Sequence, residues 1–502
     1  MSRRVVTRAG RRRLLGGLAG LGAGLPLPAF ARRYATLLAR RDGLPAGHRV
    51  ESPYGPTHPA IDEATGLVLL ELPAGFRYRS LSWAGDAMDD GQACPGHHDG
   101  MGVVGGDAAT DEWVLMRNHE RWSRPLLRAP AVHDEGEMPE DVPLAPGGGV
   151  TSLRVRAGRL VSARPCLGGT LINCAGGVTP WGTWLTCEEI MLDVASSAGR
   201  RHGYVFEVDP DPLLTSRRPI VGMGRFSHEA AAVDPVRGDV YLSEDNWESR
   251  ASGFYRYLPR DRGGRRGSLA AGGRLQAARV RGRANVDLRA PEPGERHRIE
   301  WIDIEDPDAD SRLLALRPGG DEIRVSGPFA QAWADGGLLL ARGEGLCFGE
   351  GLLLMADTTA GRNARGEPGH GPGALWAFDP STDELVALFA GQRPIDGNHP
   401  DNLAVDPRGR LMFCEDGGGI DDGGRFGNRL MGVDAQGRSF VFARNAADLD
   451  ERALAGAGKR CPPGDYRGAE FAGLCFDPTG RWLFVNLYSP GISLAITGPW
   501  QS

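Results

Sequence analysis

One pattern constrains this chain more than any other: an apolar run, a tight turn and an alternating strand, with an acid at each end. Its clearest copy is His228-Glu-Ala-Ala-Ala-Val-Asp-Pro-Val-Arg-Gly-Asp-Val-Tyr-Leu-Ser-Glu-Asp-Asn246. The Asp-Pro-x-x-Gly turn joins the apolar residues 230–233 to an alternating Val240-Tyr-Leu-Ser, which is the signature of an antiparallel hairpin. A hairpin brings its two ends together, so Glu229 and Glu244 are predicted on one edge of the sheet.

The pattern recurs. Asp99-Gly-Met-Gly-Val-Val leads to Glu112-Trp-Val-Leu-Met-Arg-Asn-His-Glu120, and Leu171-Ile-Asn-Cys-Ala-Gly-Gly returns as Gly182-Thr-Trp-Leu-Thr-Cys-Glu-Glu189. Later copies are Glu344-Gly-Leu-Cys-Phe with Gly351-Leu-Leu-Leu-Met-Ala-Asp357, residues 401–416, and residues 470–486. Further strand candidates follow most hairpins, for example Gly203-Tyr-Val-Phe-Glu-Val and Ala374-Leu-Trp-Ala-Phe. A hairpin plus two strands is a four-stranded unit, and units spaced by about 50–80 residues match the blades of a β-propeller. The expected fold is therefore all-β: a six-bladed β-propeller over residues 61–502, with one insertion at about 260–340 between blades three and four. The short final unit calls for an early strand from residues 67–83 to close the ring.

Residues 1–31 read as an export signal rather than as part of the fold. Arg11-Arg-Arg-Leu-Leu15 is a twin-arginine pattern, followed by a short apolar run and the small-x-small site Ala29-Phe-Ala31. Residues 32–60 form a polar lead-in. No segment reaches the roughly 20 apolar residues of a membrane span, and a net charge of −6 gives no basis for binding nucleic acid. The expected location is periplasmic or secreted. The eight cysteines include no CxxC pair; Cys347 and Cys475 sit in apolar strands, whereas Cys187 and Cys414 each precede a carboxylate.

In a propeller the first strand of each blade lines the central channel, so the acids of all six hairpins would converge at one mouth. The candidates are Asp99, Glu120, Glu188, Glu189, Glu229, Glu244, Asp245, Glu344, Asp357, Asp401, Glu415, Asp416 and Glu470, joined by amides such as Asn118 and Asn402. Like charges raise one another's pKa, so hard multivalent cations with oxygen ligands are the natural complement. Cys187 adds a soft ligand, which favours a transition metal beside calcium. The sequence has no GxSxG elbow, no P-loop and no GxGxxG after a strand. Asp306-Pro-Asp-Ala-Asp310 lacks the later positions of a calcium loop and reads as a solvated segment.

Asn118-His-Glu120, Thr179-Pro-Trp-Gly-Thr-Trp-Leu-Thr-Cys-Glu-Glu189, Gly224-Arg-Phe-Ser-His-Glu229, Asp401-Asn402 with Glu415-Asp-Gly417, and Glu470-Phe with Phe484-Val-Asn486 together resemble the PhoX family of secreted alkaline phosphatases. The resemblance implies a phosphomonoesterase whose channel mouth holds a mixed iron (Fe3+) and calcium cluster, with a cysteine thiolate on iron. By position that cysteine is Cys187, and Glu120, Glu188, Glu189, Glu229, Asp401, Asn402 and Glu415 are the further metal ligands. Arg225, Arg342 and Arg362 are the candidates for clamping a phosphate, with Arg225 and Arg362 carried forward as catalytic. A monomer acting on small-molecule phosphate esters is expected. The competing readings are a lactonase-type propeller hydrolase and a non-enzymatic calcium-binding propeller scaffold.

Overall fold

A computed structural model describes residues 47–349, 351–406 and 408–500; the predicted signal segment lies outside them. The regular structure of the described chain is almost all antiparallel sheet, with two short α-helices, Gly327–Ala334 and Glu451–Ala457. No helix among the described residues is long and apolar enough to cross a membrane.

All six predicted hairpins form. Their first strands are His98–Asp107, Asn173–Val178, His228–Val233, Gly343–Gly349, Pro400–Val405 and Phe471–Phe476, each paired with the strand that follows it. Each of these first strands packs against the first strand of the next hairpin, and Phe471–Phe476 packs back against His98–Asp107. The result is a closed, propeller-like ring around a common axis, and all six strands line one cavity of about 510 Å³ on that axis.

Closure works as the short final unit requires. Phe471–Phe476, Leu483–Leu487 and Ile492–Thr497 are completed by the early strand Arg77–Trp83, so the two ends of the chain share a sheet. The other early strand, Val68–Pro73, extends the sheet of the fifth hairpin instead, pairing with Ser439–Asn445 and carrying Thr57–Ile61 on its far side. The described part of the lead-in is thus packed: Tyr54 sits edge-on against Phe76 and Phe442, with ring centroids 5.4 and 5.6 Å away.

The segment at 260–340 is not wholly an insertion. Gly273–Val280 pairs with Phe254–Pro259 as the fourth strand of the third sheet. Arg296–Asp303 then joins it to Glu384–Ala390 of the fourth unit, fusing two sheets into one of nine strands. Only the small Arg312–Ala315/Glu322–Val325 hairpin and the Gly327–Ala334 helix stand outside the sheets.

Candidate metal centre

The six ladders are irregular at one shared place. His98 pairs with His119, Asn173 with Glu188, His228 with Glu244, Gly343 with Asp357 and Pro400 with Glu415, but regular pairing resumes only two or three residues further on. The sixth hairpin has the same irregularity after Ala472. Such a bulge turns a side chain out of the ordinary pleat. The residue placed there is Asp99, Cys174, Glu229, Glu344 or Asp401 in the first five hairpins, and all five are buried. Glycines beside them allow the strands to close up: a Cβ on Gly100 would stand 2.6 Å from the Ala175 Cα, and one on Gly345 2.8 Å from the Asn402 Cα.

The ends of the second strands obey the two-residue alternation of a strand. The first acid of each pair is an anchor. Glu188 accepts from the backbone N–H groups of Leu171 and Gly203 and from His202. Glu244 accepts from Gly253 N, Tyr255 and Ser326, and Glu415 is gripped through both oxygens by Arg429. The following residue turns the other way: Glu189 and Asp416 are partly buried, as is Glu120 at the end of the first hairpin, whereas Asp245 is fully buried. The site therefore has a buried floor from the first strands and a partly open rim from the second.

Floor and rim meet in three overlapping groups of ligand atoms, each group lying within 4.8 Å: Asp99, Glu120 and Cys174; Cys174, Glu189 and Glu229; Glu229, Glu344 and Asp401. Cys174 and Glu229 are shared, so the seven residues form one continuous set of donors. Neither Glu229 oxygen, nor Asp99 Oδ1, has a hydrogen-bond partner although all three atoms are buried. Burial, then the neighbouring acids, push Asp99, Glu189, Glu229 and Glu344 well above the usual carboxylate range. Burial likewise pushes Asp401 up to about 8, and Glu120 up to about 7 against a hydrogen bond from Tyr488. Orphaned carboxylate oxygens that destabilise one another's charge fit a cation cluster.

One guanidinium enters this set. Arg342 donates to both Asp245 oxygens from Nε (2.9 and 3.0 Å) and to Glu344 from Nη2 (3.1 Å). Asp245 first, then Glu344, holds it charged. Its Nη1 makes no hydrogen bond among the described residues, and the side chain is 19% exposed at the mouth.

The model of the alkaline phosphatase PhoX family matches residues 52–166 and 144–491. The chain belongs to the PhoX family. The resemblance read from the sequence motifs is thereby borne out. Among solved structures, the chain is similar to Pseudomonas fluorescens PhoX in complex with vanadate, a transition-state analogue, at 20% identity and TM-score 0.59, covering 88% of this chain and 97% of that one. A gluconolactonase from Xanthomonas campestris is much less similar, with 12% identity and TM-score 0.37 over 89% of this chain and 99% of that one. No curated protein sequence matches the chain.

In this PhoX chain, four of the expected ligands, Glu120, Glu189, Glu229 and Asp401, lie in the donor set. The other expected residues lie outside it. Cys187 is fully buried in an apolar cluster with Leu185, Val205, Phe226 and Leu242. Its strand position is that of Asn118, Ser243 and Asn486, whose side chains hold the backbone carbonyls of Cys174, Glu344 and Asp99. The thiol in the donor set belongs to Cys174, which aligning Asn173-Cys174 with His228-Glu229 by hairpin register would have revealed. Glu188 and Glu415 are committed to the anchoring bonds above. Asn402 donates to Asp401 Oδ1 at 2.8 Å and accepts from Gly473 N, so it orients a donor and the neighbouring strand.

Arg225 is spent elsewhere: its guanidinium binds Asp193, Asp308 and Asp310. Those contacts also pin the Asp306–Asp310 segment, which is a latch rather than a free loop. Arg362 is exposed and donates to Gly366 O within its own turn. Asp99 and Glu344, legible as hairpin acids but absent from the family motifs, complete the floor.

Proposed function

We propose that this chain is an exported, metal-dependent phosphomonoesterase built on a six-bladed propeller, working at the mouth defined by Asp99, Glu120, Cys174, Glu189, Glu229, Glu344 and Asp401. The observation that carries the reading is the donor set itself: four acids and a thiol at one register position of five successive hairpins, with two rim acids above them. Membership of the PhoX family supplies the reaction class. Blades three and four are joined by the Arg296–Asp303 strand, and the insertion is confined to about 281–340. Export through the twin-arginine signal of residues 1–31 and a monomeric state belong to the same proposal.

The donors divide by softness. Glu229, Glu344 and Asp401 offer oxygen only and suit calcium. The two groups containing the Cys174 sulfur suit iron, a thiolate favouring the softer ion. When bound, these cations supply Lewis acidity toward the phosphoryl oxygens and charge for the leaving oxygen. The protein's own groups do the rest. Arg342, held by Asp245 and Glu344, presents Nη1 to a non-bridging phosphate oxygen and fixes the ester's orientation. Glu188, Glu244 and Glu415, tied behind the mouth, keep the rim acids from rotating out of place. Asn402 fixes Asp401 Oδ1.

Purified protein is expected to contain iron and calcium by elemental analysis and to release phosphate from 4-nitrophenyl phosphate. That activity should disappear with chelator and return with calcium. Metal-bound protein that hydrolyses a lactone but no phosphate ester would refute the reading.

A further inference from the structure

A second cavity, of about 730 Å³, lies against the rim and is used by nothing described so far. Its wall includes His97, Arg121, Leu126, Arg128, Tyr466 and Pro490. The wall adjoins the strand end that carries Glu120. Arg121 follows Glu120 in the chain, and Glu120 N donates to His97 O at 3.0 Å. Pro490 lies two residues beyond Tyr488, which hydrogen-bonds Glu120. Rings continue outward from the same point, Tyr488 edge-on to His97 at 4.9 Å and His97 tilted against Trp122 at 5.1 Å, with Trp122 40% exposed.

The charge of this cavity is opposite to that of the site it adjoins. Arg121, partly buried, donates only to the neutral carbonyls of Pro125 and Gly147, at 2.9 and 3.3 Å. Neither Arg121 nor Arg128 forms a salt bridge among the described residues, whereas Arg124 on the same loop faces Glu137. A partly buried guanidinium without a counter-ion is costly in a resting protein unless an anion visits it.

We propose that this cavity is a leaving-group subsite for phosphomonoesters whose alcohol carries a second anionic group, a carboxylate or another phosphate, received by Arg121 and Arg128. The inference rests on the phosphomonoesterase reading and names its substrate class. The phosphate to be removed would lie over the donor set and the second anion against Arg121, the residue that follows Glu120. The apolar side of the cavity, Leu126 and Pro490, covers the carbon skeleton between them.

The test compares kcat/KM for 3-phosphoglycerate and glycerol 3-phosphate, which differ by one carboxylate, on metal-loaded protein. Wild type is expected to favour 3-phosphoglycerate. That ratio should fall about tenfold in Arg121→Gln, the loss of a charge-assisted hydrogen bond. It should fall further in the Arg121→Gln/Arg128→Gln double variant and hold in Arg124→Gln. Arg128 is exposed, so Arg128→Gln alone keeps the test open should Arg121→Gln misfold. A wild-type ratio near one, or a ratio unmoved by these variants, would overturn the subsite and leave the phosphatase intact. Turnover of neither ester nor 4-nitrophenyl phosphate would overturn both.

Discussion

At their starts the six first strands place four acids and a thiol around the axis, whereas at their far ends the same strands line an apolar cavity with Ala231, Leu346, Leu403 and Leu474. Backbone and pairing partners are shared, so the difference arises within each strand. Toward the far end side chains alternate, apart from a second register shift between Val103 and Gly105 in the first hairpin, and the axis receives small and aliphatic groups. At the start a bulge interrupts the alternation and an adjacent polar side chain, Asn118, Ser243 or Asn486, takes over the exposed carbonyl. A channel can therefore be largely apolar at one mouth and densely charged at the other without any change of fold.

The sharpest way to break this contrast is to change one residue at each end. Glu229→Gln removes the acid shared by two ligand groups; kcat/KM is expected to fall at least about a hundredfold, beyond the ~10–100-fold typical of partners outside the ligand shell, with bound metal lost. Leu346→Ala at the far end should cost roughly 2–5 kcal/mol of unfolding free energy as a cavity forms and leave metal stoichiometry unchanged. Equal metal loss in both variants would show that the two ends are not independent.

The support behind the rim gives a smaller, pH-dependent effect. His202 bridges Glu188 (2.7 Å) and Asp134 (3.1 Å) with all three side chains fully buried. Although burial opposes its charge, Glu188 foremost among its partners raises His202 to about 9. A folded pKa above the unfolded one means the bridge stabilises fully below about 6.5 and weakens as pH rises through about 9. His202→Ala should cost about 3–5 kcal/mol near neutrality by stranding two buried acids. The gap in melting temperature from wild type should narrow between pH 7 and 10. A constant gap would mean the histidine serves packing alone.

The sequence made the ring legible because each hairpin carries its own turn and alternation; closure by an early strand followed from counting strands in the last unit. Gly273–Val280 was hidden because Arg274, Gln276 and Arg279 interrupt the apolar alternation, although residues 275–278 and Val280 are buried. Its onward link through Arg296–Asp303 to Glu384–Ala390 joins residues far apart in the chain, which no local pattern encodes. Within the site, acid pairs were visible but not their division of labour: Glu188 and Glu189 are adjacent, and only strand direction separates an anchor from a rim donor. Arg225 failed for a related reason, because its partners Asp308 and Asp310 lie in a distant loop. Cys187 was favoured by standing beside two glutamates, yet what counts is register, and register selects Cys174.

The account's central claim is that hairpin register, not proximity to acids in sequence, decides which side chain reaches the cluster. Iron content of Cys174→Ala and Cys187→Ala, purified side by side with wild type, tests it most directly. Cys174→Ala is expected to lose iron and any visible thiolate-to-iron absorption, while Cys187→Ala keeps both and loses only some stability. Full iron in Cys174→Ala together with its loss in Cys187→Ala would contradict the claim.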